Sequence, residues 1–306
     1  GQSISTSRTS RTSSAACSSR PASMLALVSC SATALVLSPA RRAGNLQMLA
    51  VEEFAISKEI KSVRVFDGEY ADDICDEVAA AARACIADKG SFSLCIPGGS
   101  VVAALAQMPA DAFDASKVHL FFANEKIPSY PCKEGGLDAA KKLGVPEANV
   151  HAFGEGEPAA VAESYSSLLA SHASIDNSGA VPSVDMLLLG TGPDGHVGCL
   201  FPDSAEIKAS RAGKVVLAGN DARADGDFVA ISLDVMNAAK CVIVSAAGAG
   251  RAEMVAKALA GNFGPFDCPA GLVEAEEETL WFTDKESIAV FDEFADIEDE
   301  DELEEE

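Results

Sequence analysis

The chain has 306 residues, 48% of them hydrophobic, and carries 47 acidic against 23 basic side chains, a formal charge of −24. That apolar content can bury a sizeable core, which excludes a wholly disordered chain, and the acidity argues against a nucleic-acid partner. Outside the N-terminus no run of about 18–20 uncharged apolar residues exists, which excludes a polytopic membrane protein.

Residues 1–50 contain five arginines but no Asp, Glu or Lys, and are rich in Ser, Thr and Ala. That composition predicts a transit-peptide-like leader. Its apolar run at residues 24–37 is too short to span a bilayer; it reads as part of a plastid signal, a secretory h-region or a plain extension. From there, apolar segments alternate between two periods. SVRVF at 62–66 predicts a strand, and residues 70–90 predict an Ala-rich helix ended by Gly90. A short apolar strand over 91–99 runs into a glycine turn, and a helix restarts over 101–108. Residues 117–124 predict a strand followed by a loop, and 158–172 a helix. The run at 184–192 is continuously apolar and stops at glycines, as a strand buried on both faces would. Residues 240–248 repeat that pattern, 249–259 follow as a helix, and LWFTDKESIAVF closes the domain. The last stretch, 291–306, holds eleven acidic residues and no basic one. It predicts a solvated tail or a docking tail for a basic protein partner.

This order predicts a single α/β domain over 51–288, a mostly parallel open sheet flanked by helices, between a leader (1–50) and an acidic tail (289–306). Nine cysteines are scattered with no C-x-x-C pair. They fit free or buried thiols in a reducing compartment better than a zinc ribbon, and no metal-ligand spacing is visible.

In open α/β sheets ligands bind where strands end in glycine turns. Three turns qualify. Gly98, Gly99 and Ser100 sit between a strand and a helix, where amides and a hydroxyl can hold an anion, or merely make a tight connection. Asp194-Gly-His196 lies just beyond a strand expected to be buried, a good place for a general base oriented by a carboxylate; a lone Asp-Gly-His is otherwise structural. Asn124, Glu125 and Lys126 bring an amide, a carboxylate and a cation to another strand end, unless they are plain loop charges. Arg223 and Arg251 lie near candidate turns and could bind phosphate, or could be surface arginines.

The string LLLGTGPDGHVGCLFPDS (187–204) resembles the signature LLGxGPDGHxxSLFPG of the 6-phosphogluconolactonase branch of the glucosamine-6-phosphate isomerase/6-phosphogluconolactonase family. IPGGS (96–100), HLFFANEKIP (119–128), residues 231–255 and LWFTDKES (280–287) follow in the family's order, so the resemblance covers about residues 55–287. It implies the sugar-phosphate isomerase fold and hydrolysis of 6-phospho-D-glucono-1,5-lactone, a small-molecule sugar-phosphate substrate. His196 would activate water, with Asp194 supporting it. Gly98, Gly99, Ser100 and Arg251 would hold the phosphate, and Asn124, Glu125, Lys126 and Arg223 would line the substrate. It implies no cofactor and no metal, because a lactone is already an activated ester. With the leader, it implies a plastid stroma.

The chain departs from the family at named positions. Asn124-Glu125-Lys126 stands for Asp-Glu-Arg, Phe228 for a strand arginine, and Ala230 and Ser232 for two threonines. CKEGGLDAAKK replaces the Ser-Asn that usually follows Pro128. These departures sustain two alternatives: a non-catalytic relative that keeps the fold as a binding or structural subunit, and another sugar-phosphate isomerase or deaminase.

Overall fold

The computed structural model describes residues 34–38, 49–55, 61–109 and 111–291. Its strands are β1 (Ala34–Ser38), β2 (Leu49–Ala55), β3 (Lys61–Phe66), β4 (Phe92–Ile96), β5 (Val118–Phe122), β6 (Asn124–Ile127), β7 (Val150–His151), β8 (Met186–Gly190), β9 (Val216–Asp221), β10 (Gly226–Ile231), β11 (Cys241–Ala246) and β12 (Glu278–Asp284). The helices are α1 (Ala71–Lys89), α2 (Ser100–Leu105), α3 (Pro131–Leu143), α4 (Pro158–Ser171), α5 (Ala205–Ala209), α6 (Leu233–Ala238) and α7 (Ala252–Ala260). Beyond β1 and the start of β2, the leader lies outside the described residues, and so does the acidic tail from 292 onward.

The large sheet has the order β1-β2-β3-β12-β11-β8-β4-β5-β7, and every pair from β3 to β7 is parallel. β1 and β2 add antiparallel strands at one edge. Its central strands read as continuous apolar runs because both faces are covered: all five residues of β4 and the first four of β8 are buried. α1 buries Ile74, Cys75, Val78, Ala79 and Ala82, one face at helical spacing. Gly90 ends it in a left-handed conformation, its N–H donating to the Ile86 carbonyl at 3.0 Å.

The sequence predicts a mostly parallel sheet, and the structure has one, but a second sheet lies beside it. β6, β10 and β9 form a three-stranded antiparallel sheet, so Asn124–Ile127 is a strand and not the predicted loop. The two sheets join where the Ile231 N–H donates to the Ala123 carbonyl and the Ala123 N–H to the Ile96 carbonyl, each at 2.8 Å. α4 packs on β9 and β10. Among the described residues no helix is long and apolar enough to cross a membrane.

Candidate active site

From β4 the chain steps through β5 to β7 at one edge, then returns to β8 on the other side of β4. That reversal is where an open α/β sheet leaves a crevice. The turns after β11, β8, β4 and β5 emerge there side by side, and they carry the residues singled out from the sequence.

After β8 the chain turns tightly through Gly192, whose N–H donates to the His196 carbonyl at 3.1 Å. His196 Nδ1 lies 2.6 Å from Asp194 Oδ1, which also accepts from the His196 N–H at 3.3 Å. A carboxylate only accepts, so Nδ1 carries the proton and the Nε2 lone pair remains for chemistry. Both side chains are about one-third exposed (34% and 38%), accessible to a water or a substrate. A Cβ on Gly192 would lie 2.2 Å from the His196 ring and 2.6 Å from Asp194 Oδ1, so the backbone itself forms the wall behind the pair.

Phe201 faces His196 with ring centroids 4.7 Å apart. The Arg223 guanidinium sits 4.6 Å from the Phe201 centroid, so a cation approaches the histidine side of the site across an aromatic ring. Arg223 is fixed there by a bidentate pair with Asp221 (Nε–Oδ1 2.9 Å, Nη2–Oδ2 2.6 Å) and by the Pro202 carbonyl. The guanidinium holds the Asp221 carboxyl down at about 2.

Arg251 follows β11. Its Nε donates to the Thr191 carbonyl at 2.9 Å and its Nη1 to the Ala247 carbonyl at 2.7 Å. Carbonyl oxygens orient a guanidinium without neutralising it. Arg251 lines a cleft of about 530 Å³ together with Tyr70, Thr191 and Ser245, at the ends of β8 and β11. Thr191 ties this cleft to the histidine turn, which it opens, and its buried hydroxyl has no hydrogen-bond partner among the described residues. Tyr70 Oη and Ser245 Oγ are 3.0 Å apart, and burial pushes the Tyr70 phenol up. Tyr70 and Ser245 are scattered singly through the sequence, where nothing but position in the fold marks them, whereas Thr191 lies within the signature string.

The turn after β4 has a positional reason for its glycines. A Cβ on Gly98 would lie 2.6 Å from Cys132 Sγ, and Gly99 has φ of +84°. Ser100 begins α2.

At the end of β5 the expected ligand-facing residues turn inward. Glu125 is 1% exposed: Oε1 accepts from the Lys126 and Cys132 N–H groups at 2.9 and 3.0 Å, and Oε2 from the Lys133 N–H at 2.6 Å. It therefore caps the first turn of α3. Asn124 is 7% exposed, and its Nδ2 donates to Cys199 Sγ at 3.2 Å and Cys132 Sγ at 3.6 Å. Burial pushes the Cys199 thiol up to about 11 and the Cys132 thiol higher. Lys126 pairs with Asp225 at 2.8 Å. Phe228, at the family's arginine position, is fully buried edge-on to Phe201, while Ser232 caps α6 by accepting from the Val235 N–H. The departures thus adjoin one another. Asn124 meets Cys132, from the altered stretch after Pro128, and Cys199, which replaces the signature's serine.

Comparison with known proteins adds a common direction. Residues 67–281 match the family described as glucosamine-6-phosphate isomerases/6-phosphogluconolactonase. The chain is 29% identical over 237 residues to a chloroplastic 6-phosphogluconolactonase of Arabidopsis thaliana, covering 72% of this chain and 68% of the relative. It is 33% identical over 214 residues to a 6-phosphogluconolactonase of Streptomyces coelicolor, covering 65% and 81%. In fold it is similar to the solved 6-phosphogluconolactonase of Trypanosoma brucei, with a TM-score of 0.66 and 23% identity over 77% of this chain and 99% of that one. Since the matched region spans well over half of its length, the chain belongs to the glucosamine-6-phosphate isomerase/6-phosphogluconolactonase family.

Proposed function

We propose that this chain hydrolyses 6-phospho-D-glucono-1,5-lactone to 6-phosphogluconate, with His196 as the general base. The observation that carries the reading is the 2.6 Å contact between His196 Nδ1 and Asp194, at the strand end where the sheet reverses. His196 Nε2 takes a proton from water as the oxygen attacks the lactone carbonyl carbon. Charge develops on the carbonyl oxygen, and the Asp194 carboxylate stabilises the imidazolium that forms. Collapse of the tetrahedral intermediate expels the ring oxygen, which takes the proton back from the imidazolium, and the open acid leaves. Atoms balance with water as the only co-reactant.

Arg251 and the 98–100 turn are assigned to the 6-phosphate, since two carbonyls orient the Arg251 guanidinium on the wall of a cleft that it shares with Glu69, Asp284 and Glu286. Arg223 supplies further positive potential across Phe201. Asn124 and Glu125 serve this reading by shaping the wall, since Asn124 Nδ2 faces Cys199 and Glu125 caps α3, while Lys126 is held in a partly exposed ion pair with Asp225. Plastid residence is supported by the leader composition and by relatives in Arabidopsis and rice named chloroplastic. The acidic tail is assigned no partner.

The test is lactone hydrolysis followed with a coupled dehydrogenase, corrected for spontaneous opening. Turnover well above buffer that disappears in His196→Ala is the expected result. A folded protein no faster than buffer would establish the non-catalytic alternative, and ketose formation or ammonia release the isomerase or deaminase one.

A further inference from the structure

Three of the four histidines in the chain meet at the β5–β7 edge of the large sheet, away from the turns of β8 and β11. His119 is the second residue of β5, His151 closes the edge strand β7, and His172 caps the C-terminus of α4. One ring nitrogen from each lies within 4.8 Å of the other two. His119 Nδ1 and His151 Nε2 are 3.3 Å apart, and the His172 ring centroid is 4.9 Å from that of His119 and 4.4 Å from that of His151. Phe121 stacks on His151 at 4.7 Å and meets His172 edge-on at 5.1 Å, closing one side with an apolar ring.

A tetrahedral ion with metal–nitrogen bonds of about 2.0–2.1 Å needs ligand nitrogens about 3.3–3.4 Å apart. The His119–His151 separation already meets that figure, and the His172 nitrogen, within 4.8 Å of both, needs a shift of at most about 1.5 Å to complete it. Burial, together with the other rings nearby, holds His119 and His151 below the ordinary histidine range, His151 at about 4. Burial alone does so for His172. His172 Nδ1 lies 2.9 Å from Ser174 Oγ. With Nδ1–H donating to that hydroxyl, Nε2 keeps its lone pair, the usual outer support of a metal-bound imidazole. This tautomer gives up the weaker 3.2 Å contact from the Ser174 N–H.

We propose that His119, His151 and His172 form a binding site for one divalent transition-metal ion of the imidazole-preferring class, with solvent as the remaining ligand. Three imidazoles without a carboxylate favour Zn²⁺, Cu²⁺ or Ni²⁺ over Mg²⁺ or Ca²⁺. The ion joins β5 and the edge strand β7 to the end of α4 and takes no part in the lactone chemistry.

The probe is Zn²⁺ added to the chelator-treated full chain, in excess Mg²⁺ to occupy the many surface carboxylates. Calorimetry is expected to show one Zn²⁺ per chain, weakened about tenfold or more by each of His119→Gln, His151→Gln and His172→Gln and unchanged by His196→Ala. In ¹⁵N-histidine-labelled wild-type protein, Zn²⁺ should move the imidazole nitrogens of three histidines, a readout that does not depend on any variant folding. No Zn²⁺ uptake, uptake that survives in all three variants, or shifts confined to His196 would each overturn the proposal.

Discussion

The chemistry of the site rests on one tautomer. Asp194 accepts from His196 Nδ1, and Gly192 packs behind both with no room for a side chain. Asp194→Asn keeps the shape but offers an amide whose N–H₂ can face the ring, so the proton moves to Nε2 and the base is lost. The expected effect on lactonase turnover is a drop of about 10³–10⁴ in kcat with little change in KM. Gly192→Ala should also lower kcat, because the added Cβ displaces the imidazole from its carboxylate. A variant in either position with wild-type kcat would remove His196 from the mechanism. At the same scale, the Asn124 departure becomes intelligible. Its amide donates to two buried thiols, while its Oδ1 finds no partner among the described residues, and an aspartate there would bury a charge.

Among the elements, the end of β5 shows a polar motif serving the fold. The backbone N–H groups of Lys126, Cys132 and Lys133 all converge on the Glu125 carboxylate. Glu125→Ala leaves buried donors unpaired at about 1–3 kcal/mol each. A loss of roughly 3 kcal/mol or more in urea unfolding is expected, with the damage concentrated in α3; hydrogen exchange of α3 amides no faster than wild type would contradict it. The sequence could not distinguish this cap from a ligand group, since both ask for a carboxylate at a strand end. What was legible followed from burial on two faces: β8 is apolar throughout, β4 and β11 are apolar but for one serine each, and Gly90 marks the end of α1. The small sheet was illegible from pattern because NEKI, VLAGND and GDFVAI are short, mixed and partly exposed, and only the family resemblance placed a strand at Phe228. α3 was hidden by Gly135-Gly136, which reads as loop; yet a Cβ on Gly136 would overlap the Phe122 ring, so a close helix–sheet approach requires that glycine. The histidine cluster joins residues 32 and 21 positions apart on three elements, a separation with no motif to find.

Across the whole molecule, the two ends of the parallel sheet divide the work. Glycine turns at the carboxyl ends present the histidine, the arginine and the cleft, while charge at the amino ends locks the strands together. Asp185, 4% exposed just before β8, is the centre of that lock. Its Oδ2 accepts from the N–H and hydroxyl of Ser93 in β4, each at 2.8 Å. Its Oδ1 pairs with Lys89 at the end of α1 at 2.8 Å and with Lys240 before β11 at 3.4 Å. One carboxylate thus holds four elements. Removing the carboxylate leaves the two buried Ser93 donors unpaired at about 1–3 kcal/mol each, while Lys89 and Lys240, about one-third exposed, regain solvent. Asp185→Ala should lower the unfolding free energy by that amount. Asp185→Asn, which keeps acceptors for Ser93, should lose less. Because the carboxylate is shielded from solvent, the difference between wild type and Asp185→Ala should persist in high salt, unlike that of an exposed pair. Turnover per folded molecule should stay unchanged in both variants, since the lock lies at the opposite end of β8 from His196. A fall in kcat at temperatures where the variants remain folded would show that the two ends of the sheet are coupled.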